Sequence, residues 1–297
     1  MRLPRFIKPH IPTLVETPPS EAGWVHEIKH DGYRTMVAIG GGEAVAWTRR
    51  GHDWSARYRH VLDDLKRLPA EAALIDGEMV VQDEAGVADF NALQNVLQGN
   101  RGEISFIAFD LLHLDGADLR DLPLLERKQH LRRLLGRRKL KRAVYSEHME
   151  GDGREVFQAA AAMGLEGIVS KLADSRYRSG PSRSWLKVKA MLEEDFVILG
   201  TETGKNGIPY AVLARDTPKG LVHVGRAMIS MTRADRDRLF ARLERIRRDS
   251  PPMRLKEKGK VSWVEPEVRV MVKHLRGADK LRHGAVRSFG ERASDDG

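Results

Sequence analysis

The sequence predicts an α+β protein in two parts: a domain of mixed strands and helices over residues 1–190, then a small β-barrel of the OB type over residues 191–297. Three observations predict it. From Trp24 onward, apolar segments of period two alternate with segments of helical period. After Met191 the pattern changes to short strands around a single helix, which suits a small closed barrel. A hydrophobic fraction of 41% over 297 residues is enough to build two ordinary cores.

The elements follow in order. Residues 1–23 are rich in proline and read as an irregular lead-in. Residues 33–39 (YRTMVAI) and 43–48 (EAVAWT) read as adjacent strands joined by a glycine turn at 40–42. Residues 55–68 carry Val61, Leu62, Leu65 and Leu68 at helical spacing. Residues 73–82 are an apolar strand interrupted by acids, 90–98 a helix with Phe90, Leu93 and Leu97 on one face, and 104–112 a buried strand. Helices follow at 124–142 and 153–164, then short strands at 166–172 and 185–190. Beyond Met191, strands are expected at 195–203, 209–216 and 221–227, a helix at 233–248 and a late strand at 267–274.

The bulk numbers narrow the partners. A net charge of +9 and a pI near 9.8 favour polyanions, of which nucleic acid is the commonest, although such a surplus also serves solubility. Residues 127–142 hold nine Lys/Arg and no acid, and residues 236–260 hold ten against four acids. Both stretches suit backbone phosphates, and both also suit solvated helix faces. The absence of cysteine excludes disulfides and thiolate metal sites. No segment has the apolar length of a membrane span, and the N-terminus lacks a signal-peptide core, so the expectation is a cytoplasmic protein with no membrane partner; a monomer is expected as well.

The chemistry starts at Lys29-His30-Asp31-Gly32-Tyr33-Arg34. A lysine that attacks phosphorus needs a free amine, which neighbouring cations, burial or metal can supply. Gly32 lets the chain bend close to a ligand, and Arg34 offers a planar fork for phosphate or ribose oxygens. Alone, the string also reads as a charged strand and a turn. Glu78, in Asp76-Gly77-Glu78, lies in an apolar strand, and Glu166 opens another. Two isolated glutamates suit a hard divalent cation held largely by water and phosphate, with strand-edge salt bridges as the alternative. In Trp185-Leu186-Lys187-Val188-Lys189, Lys187 and Lys189 share a strand face and repel unless an anion lies between them.

In series, Lys29 to Arg34, Arg49, Asp76 to Glu78, Phe109-Asp110-Leu111-Leu112, Glu166 to Lys171 and Trp185 to Lys189 resemble the covalent nucleotidyltransferase superfamily of ATP-dependent DNA ligases, RNA ligases and mRNA capping enzymes. Residues 6–34, 177–189, Val261 to Val264 and Leu281 to His283 are similar to the ligase domain of bacterial non-homologous end-joining DNA ligases. The resemblance implies an adenylation (nucleotidyltransferase) domain of antiparallel sheets with flanking helices, followed by an OB-fold domain. It implies that Lys29 becomes lysyl-AMP, that Glu27 recognises the adenine amine, and that Arg34 and Arg49 hold nucleotide and nick phosphate. It implies further that Glu78 contacts ribose and metal, Phe109 stacks on adenine, Glu166 binds metal, and Lys187 and Lys189 neutralise the α-phosphate. ATP and Mg²⁺ (or Mn²⁺) are the implied cofactors. Nicked or broken DNA is the implied substrate, with a Ku-like end-binding protein and separate polymerase or nuclease proteins as partners in a bacterial cytoplasm, near the nucleoid.

The match departs at the tail. The family's last motif usually carries an Arg and an Asp-Lys pair that orient pyrophosphate. Here no Asp-Lys follows Leu281, and Arg287 and Arg292 are the remaining candidates. With 28 residues before Lys29 and no cysteine, the expectation is ATP rather than NAD⁺ as donor, without an added DNA-clamping domain. The competing readings are an RNA ligase or capping-type guanylyltransferase, and a DNA-end-binding module without catalysis.

Overall fold

A computed structural model describes residues 1–204, 207–255, 260–275 and 280–290. The chain divides into two compact units, Met1–Ala190 and Met191–Gly297, each with its own core. The architecture is α+β. Among the described residues no helix is long and apolar enough to cross a membrane.

The first unit is built on two sheets. One runs, in spatial order, Glu43–Thr48, Tyr33–Gly40, Ala72–Val80, Ser105–Leu114 and Ala117–Asp118, with Ala143–Tyr145 pairing in parallel to Ser105–Leu114. Side chains alternate across a strand, and both faces of this sheet are covered. Val37, Ile39, Ala73 and Ile75 pack with Tyr58, Val61, Leu62, Leu65, Leu131, Leu134 and Leu135, which come largely from the helices Arg59–Leu65 and Leu124–Gly136. Met36, Ala38, Leu74 and Leu112 face the other way and pack with Val25, Tyr177 and Trp185. The second sheet runs His10–Leu14, Gly180–Lys189, Gly167–Leu172, Trp24–Ile28 and Met149–Glu150. The hairpin turn predicted at 40–42 is present, with Gly41 and Gly42 at φ 61° and 82°, values that favour glycine.

Several boundaries differ from the sequence reading for physical reasons. The lead-in contains a strand, His10–Leu14, paired in parallel with Gly180–Lys189, so its order comes from a partner some 170 residues away rather than from its own pattern. The 185–190 strand begins five residues earlier, at Gly180. The helix expected to reach 142 stops at Gly136, where the helical burial pattern ends. Gly32 has a packing role as well: a Cβ there would collide with the Met79 carbonyl, so the glycine lets the loop lie against the Ala72–Val80 strand.

In the second unit, Met191–Thr203 pairs along its first half with Arg269–Leu275 and along its second half with Pro209–Thr217. Pro209–Thr217 pairs with Gly220–Ile229, which pairs with Ala285–Gly290, which returns to Arg269–Leu275. The hydrogen-bonded path therefore comes back to its start. Phe196, Ile198, Leu213, Val224, Val270, Val272 and Val286 form its core with Leu239 and Leu243 of the helix Arg233–Arg245. That helix is shorter than the 233–248 expected, and the closing strand Ala285–Gly290 was not apparent from the sequence pattern.

Candidate active site

The two sheets of the first unit leave a cavity of about 170 Å³ between their facing sides. Strand parity aims the chemistry at it. Arg34 and Glu78 share their face with Met36 and Leu74, the face turned toward the second sheet. Trp185 and Lys187 line the cavity from the second sheet, while Val188, on the opposite face, is buried against Ile168. A register shift between Asp76 and Gly77 pairs Asp76 with Asp110 and Gly77 with Ala108. Phe109 is thus the extra residue of a β-bulge, which turns its ring edge-on to Trp185 at 6.1 Å.

Of the residues singled out from sequence, Glu27, Lys29, Arg34, Arg49, Glu78, Phe109 and Lys187 all line this cavity. Glu166 and Lys189 adjoin it. The Lys29 ammonium is ion-paired with Glu166 Oε2, and Lys189 Nζ lies 3.7 Å from Glu166 Oε1. The Lys29 backbone N–H donates to the Gly167 carbonyl at 2.9 Å, fixing the loop that carries the nucleophile candidate. Lys187 is depressed below the usual lysine range by burial, with Lys189, Lys29 and Arg49 adding repulsion. Such crowding of cations suits an anionic ligand. Arg287 lies on the Ala285–Gly290 strand, and Arg292 falls outside the described residues.

Arg34 is held by its neighbours. Its Nε and Nη2 donate to the two oxygens of Asp76 at 3.1 and 2.7 Å, and the Tyr177 hydroxyl donates to Asp76 Oδ2 at 2.6 Å. Burial opposes the Arg34 charge, but Asp76 outweighs it and the guanidinium is held above its ordinary range. The group sits 5.2 Å from the Phe109 ring centre and 5.6 Å from that of Trp185.

Glu78 has the opposite environment. Burial pushes its carboxyl up to about 8, against the pull of Lys29 and Arg34 and with help from Glu166 and Asp76. A carboxyl in this state gains from any cation that replaces its lost hydration. Among the described residues no three His, Asp or Glu side chains cluster as a metal site. Two carboxylates, Glu78 and Glu166, fit a hard divalent ion that takes its remaining ligands from water and phosphate.

The structure adds residues to which the sequence reading gave no role. Lys171, 3% exposed, has its ammonium 4.5 Å from the Phe109 ring centre and 4.2 Å from that of Trp185, and 2.9 Å from Glu27 Oε1. Burial pulls it down to about 8 despite Glu27, and Lys128 adds to the depression. Glu27 is buried, yet Lys128 and Lys171 hold its carboxyl below the usual range. His10 stacks on Trp185 at 4.6 Å, and its backbone N–H donates to the Tyr177 hydroxyl at 3.0 Å. His30 also lines the cavity, and burial lowers it to about 4. The alternation of Lys171 with Val169, both lining the cavity, was the available signal for Lys171.

Comparison with known proteins places the chain among the nucleotidyltransferases that join polynucleotides. Residues 7–189 match the family model of the ATP dependent DNA ligase domain, and residues 205–292 match that of the ATP dependent DNA ligase C terminal region. The chain belongs to the ATP-dependent DNA ligase family. It is 36% identical, over 96% of its length, to the multifunctional non-homologous end joining protein LigD of Pseudomonas aeruginosa, of which it covers 35%. The chain thus spans about a third of the length of the LigD relatives it matches. Among solved structures it is similar to the ligase domain of Mycobacterium tuberculosis LigD, with 28% identity, a TM-score of 0.59 and coverage of 95% of this chain and 94% of that one. A mycobacterial DNA ligase D complexed with ATP and MES matches with 27% identity, a TM-score of 0.59 and coverage of 96% and 95%.

Proposed function

We propose that this chain seals 5′-phosphate/3′-hydroxyl breaks in DNA through a lysyl-AMP intermediate formed from ATP. The observation that carries the reading is Lys29 at the cavity, paired with Glu166 and crowded by Lys187, with the Phe109 and Trp185 rings lining the same cavity. Lys29 Nζ attacks the α-phosphorus of ATP; a P–N bond forms, the bond to the β-phosphate oxygen breaks, and pyrophosphate and a proton leave. A 5′-phosphate oxygen then attacks the AMP phosphorus and displaces Lys29. The 3′-hydroxyl attacks the activated 5′-phosphorus and expels AMP.

The chain's own groups divide the work. Lys187 and Lys189 stabilise charge on the transferring phosphoryl group. Arg49, exposed at the rim, takes the nick phosphate, and Arg34 meets the nucleotide. Phe109 stacks on adenine, with Lys171 donating to a base nitrogen and Glu27 nearby for the exocyclic amine. Mg²⁺ or Mn²⁺ held by Glu78 and Glu166 would neutralise developing negative charge on the triphosphate. We assign residues 1–190 to the adenylation domain and 191–297 to an OB-fold barrel. The setting is break repair in a bacterial cytoplasm, as a monomer near the nucleoid, with a Ku-like end-binding protein and separate polymerase or nuclease proteins as partners. The names of the LigD relatives support the end-joining part.

The test uses α-labelled ATP and α-labelled GTP, then nicked DNA and nicked RNA. Wild type acquires label from ATP as an acid-labile, base-stable phosphoramidate adduct and seals nicked DNA, while Lys29→Ala does neither. Labelling from GTP alone, or nick sealing by Lys29→Ala, would refute the reading.

A further inference from the structure

Lys128 takes no part in the steps above. It lies on the Leu124–Gly136 helix with a side chain 1% exposed. Its ammonium donates to Glu27 Oε1 at 2.8 Å and to the Ser146 carbonyl at 2.9 Å, and sits 4.6 Å from the centre of the Tyr145 ring. Lys171 pairs with the same Glu27 oxygen at 2.9 Å, and the Ser146 hydroxyl donates to the other at 3.1 Å. One buried carboxylate therefore faces two buried ammonium groups.

A single negative charge cannot neutralise both, and an uncompensated buried charge is costly. Geometry decides which cation carries the surplus. Lys128 is bound twice, by a carboxylate and a carbonyl, and its contacts are those of good hydrogen bonds. Lys171 is ion-paired with the same Glu27 oxygen at 2.9 Å, but among the described residues its ammonium lacks the second, carbonyl acceptor that Lys128 has and makes no well-formed hydrogen bond. Its other neighbours are the Phe109 and Trp185 rings, which line the cavity.

We infer that Lys128 is a positioning residue for nucleotide-base recognition: it holds Glu27 from behind and shares its single charge, which keeps the Lys171 ammonium only partly neutralised and turned onto the Phe109–Trp185 surface, able to donate to a ring nitrogen of the base. This rests on reading that surface as the base site. Without Lys128, the whole Glu27 charge falls to Lys171 as a one-to-one pair, and the donor is turned from the rings toward the carboxylate. Ring nitrogens of adenine are acceptors, so the loss falls on substrate binding rather than on attack at phosphorus.

The experiment measures lysyl-AMP formation by the full chain against ATP concentration for wild type, Lys128→Met, Lys128→Gln, Lys128→Arg and Lys171→Met. The 1-, 3- and 7-deaza analogues of ATP are run beside it, and each variant is checked by thermal unfolding. Lys128→Met raises the KM for ATP about tenfold, the loss of one charge-assisted hydrogen bond. The maximal rate stays within about threefold, since the phosphoryl groups are untouched. Wild type discriminates against at least one deaza analogue; Lys128→Met and Lys171→Met lose that discrimination, and Lys128→Arg keeps it. Lys128→Gln, which retains a donor for the Ser146 carbonyl, gives the same split should the methionine variant not fold. If Lys171→Met raises KM while Lys128→Met and Lys128→Gln lower only stability or maximal rate, the inference is overturned and the base-site reading stands. If Lys171→Met leaves both KM and the analogue preference unchanged, the base-site reading falls, and the inference with it.

Discussion

At the scale of single residues, the site is an arrangement of buried charges, and its pH response follows. Burial lowers His10 from 6.5 to about 4, with Arg34, Arg127 and Lys171 adding repulsion and Asp76 opposing. His30 falls to about 4, and burial lowers His26 as well. Each ring binds a proton more readily when the chain is unfolded. The histidines' contribution to stability is therefore fully present above pH 6.5 and is lost as pH falls from there toward 4. His10 alone is worth on the order of 3 kcal/mol across that interval. Urea midpoints at pH 7, 6, 5 and 4 should fall steadily, and His10→Gln should flatten the slope even though it lowers the midpoint at pH 7. A wild-type midpoint constant over that range would contradict the assignment. Asp76→Asn removes half of the fork that holds Arg34 and should cost about 3 kcal/mol. The same substitution should raise the KM for ATP, because Arg34 then swings away from the rings.

At the scale of elements, the strands carry the design, and they were also the most legible part. Apolar runs bounded by glycine and acidic breaks located Tyr33–Gly40, Glu43–Thr48 and Ala72–Val80 to within two residues, because the central strands of this sheet are buried on both faces. Strand alternation sets the side on which Arg34, Glu78 and Lys187 emerge. His10–Leu14 and Ala285–Gly290 were hidden, since both are short and owe their form to distant partners. The Phe109 bulge was equally hidden: a register shift has no signature in periodicity. Lys128 was masked differently. It stands in a basic run that reads as a solvated face, yet it falls three and seven residues before Leu131 and Leu135, on the apolar stripe of its helix. A cation on that stripe was the available signal. The loop before Tyr33–Gly40 gives an element-level test. Gly32→Ala drives a methyl group into the Met79 carbonyl and should cost about 2–3 kcal/mol. Because that loop carries Lys29, lysyl-AMP formation should slow as well, read as lost maximal rate at saturating ATP. An alanine variant as stable and as fast as wild type would show that the loop has room to move.

At the scale of the whole molecule, the question is where a chain with net charge +9 puts that charge. The basic run 127–142 is not one uniform surface. Arg127 is 0% exposed, forked onto Asp110 at 2.8 and 2.9 Å, and Lys128 serves Glu27, so two of its nine cations never face solvent. Arg142 is half-buried beside Glu103, and Arg132 pairs with Glu147 at 3.4 Å. What remains outward is Arg133, Arg137, Arg138, Lys139 and Lys141, all exposed around the end of the helix. In the second run, Arg238, Arg247 and Arg248 are paired with Asp235, Glu244 and Glu265, and residues 256–259 lie outside the described residues. Paired cations release fewer counterions on meeting a phosphate backbone, so the group at 133–141, which has no ion pair among the described residues, should dominate the salt response of the first unit. Replacing Arg133, Arg137 and Arg138 together by Gln should weaken binding to nicked DNA and reduce the slope of log affinity against log salt by about two to three. Lysyl-AMP formation should be unchanged, since none of the three lines the cavity. Arg127→Gln should behave in the reverse way, destabilising the fold through an unpaired Asp110 while leaving the salt slope of the folded fraction alone. If the triple variant keeps the wild-type slope, the DNA backbone runs over a different face, and the basic end of the helix is a solubility feature.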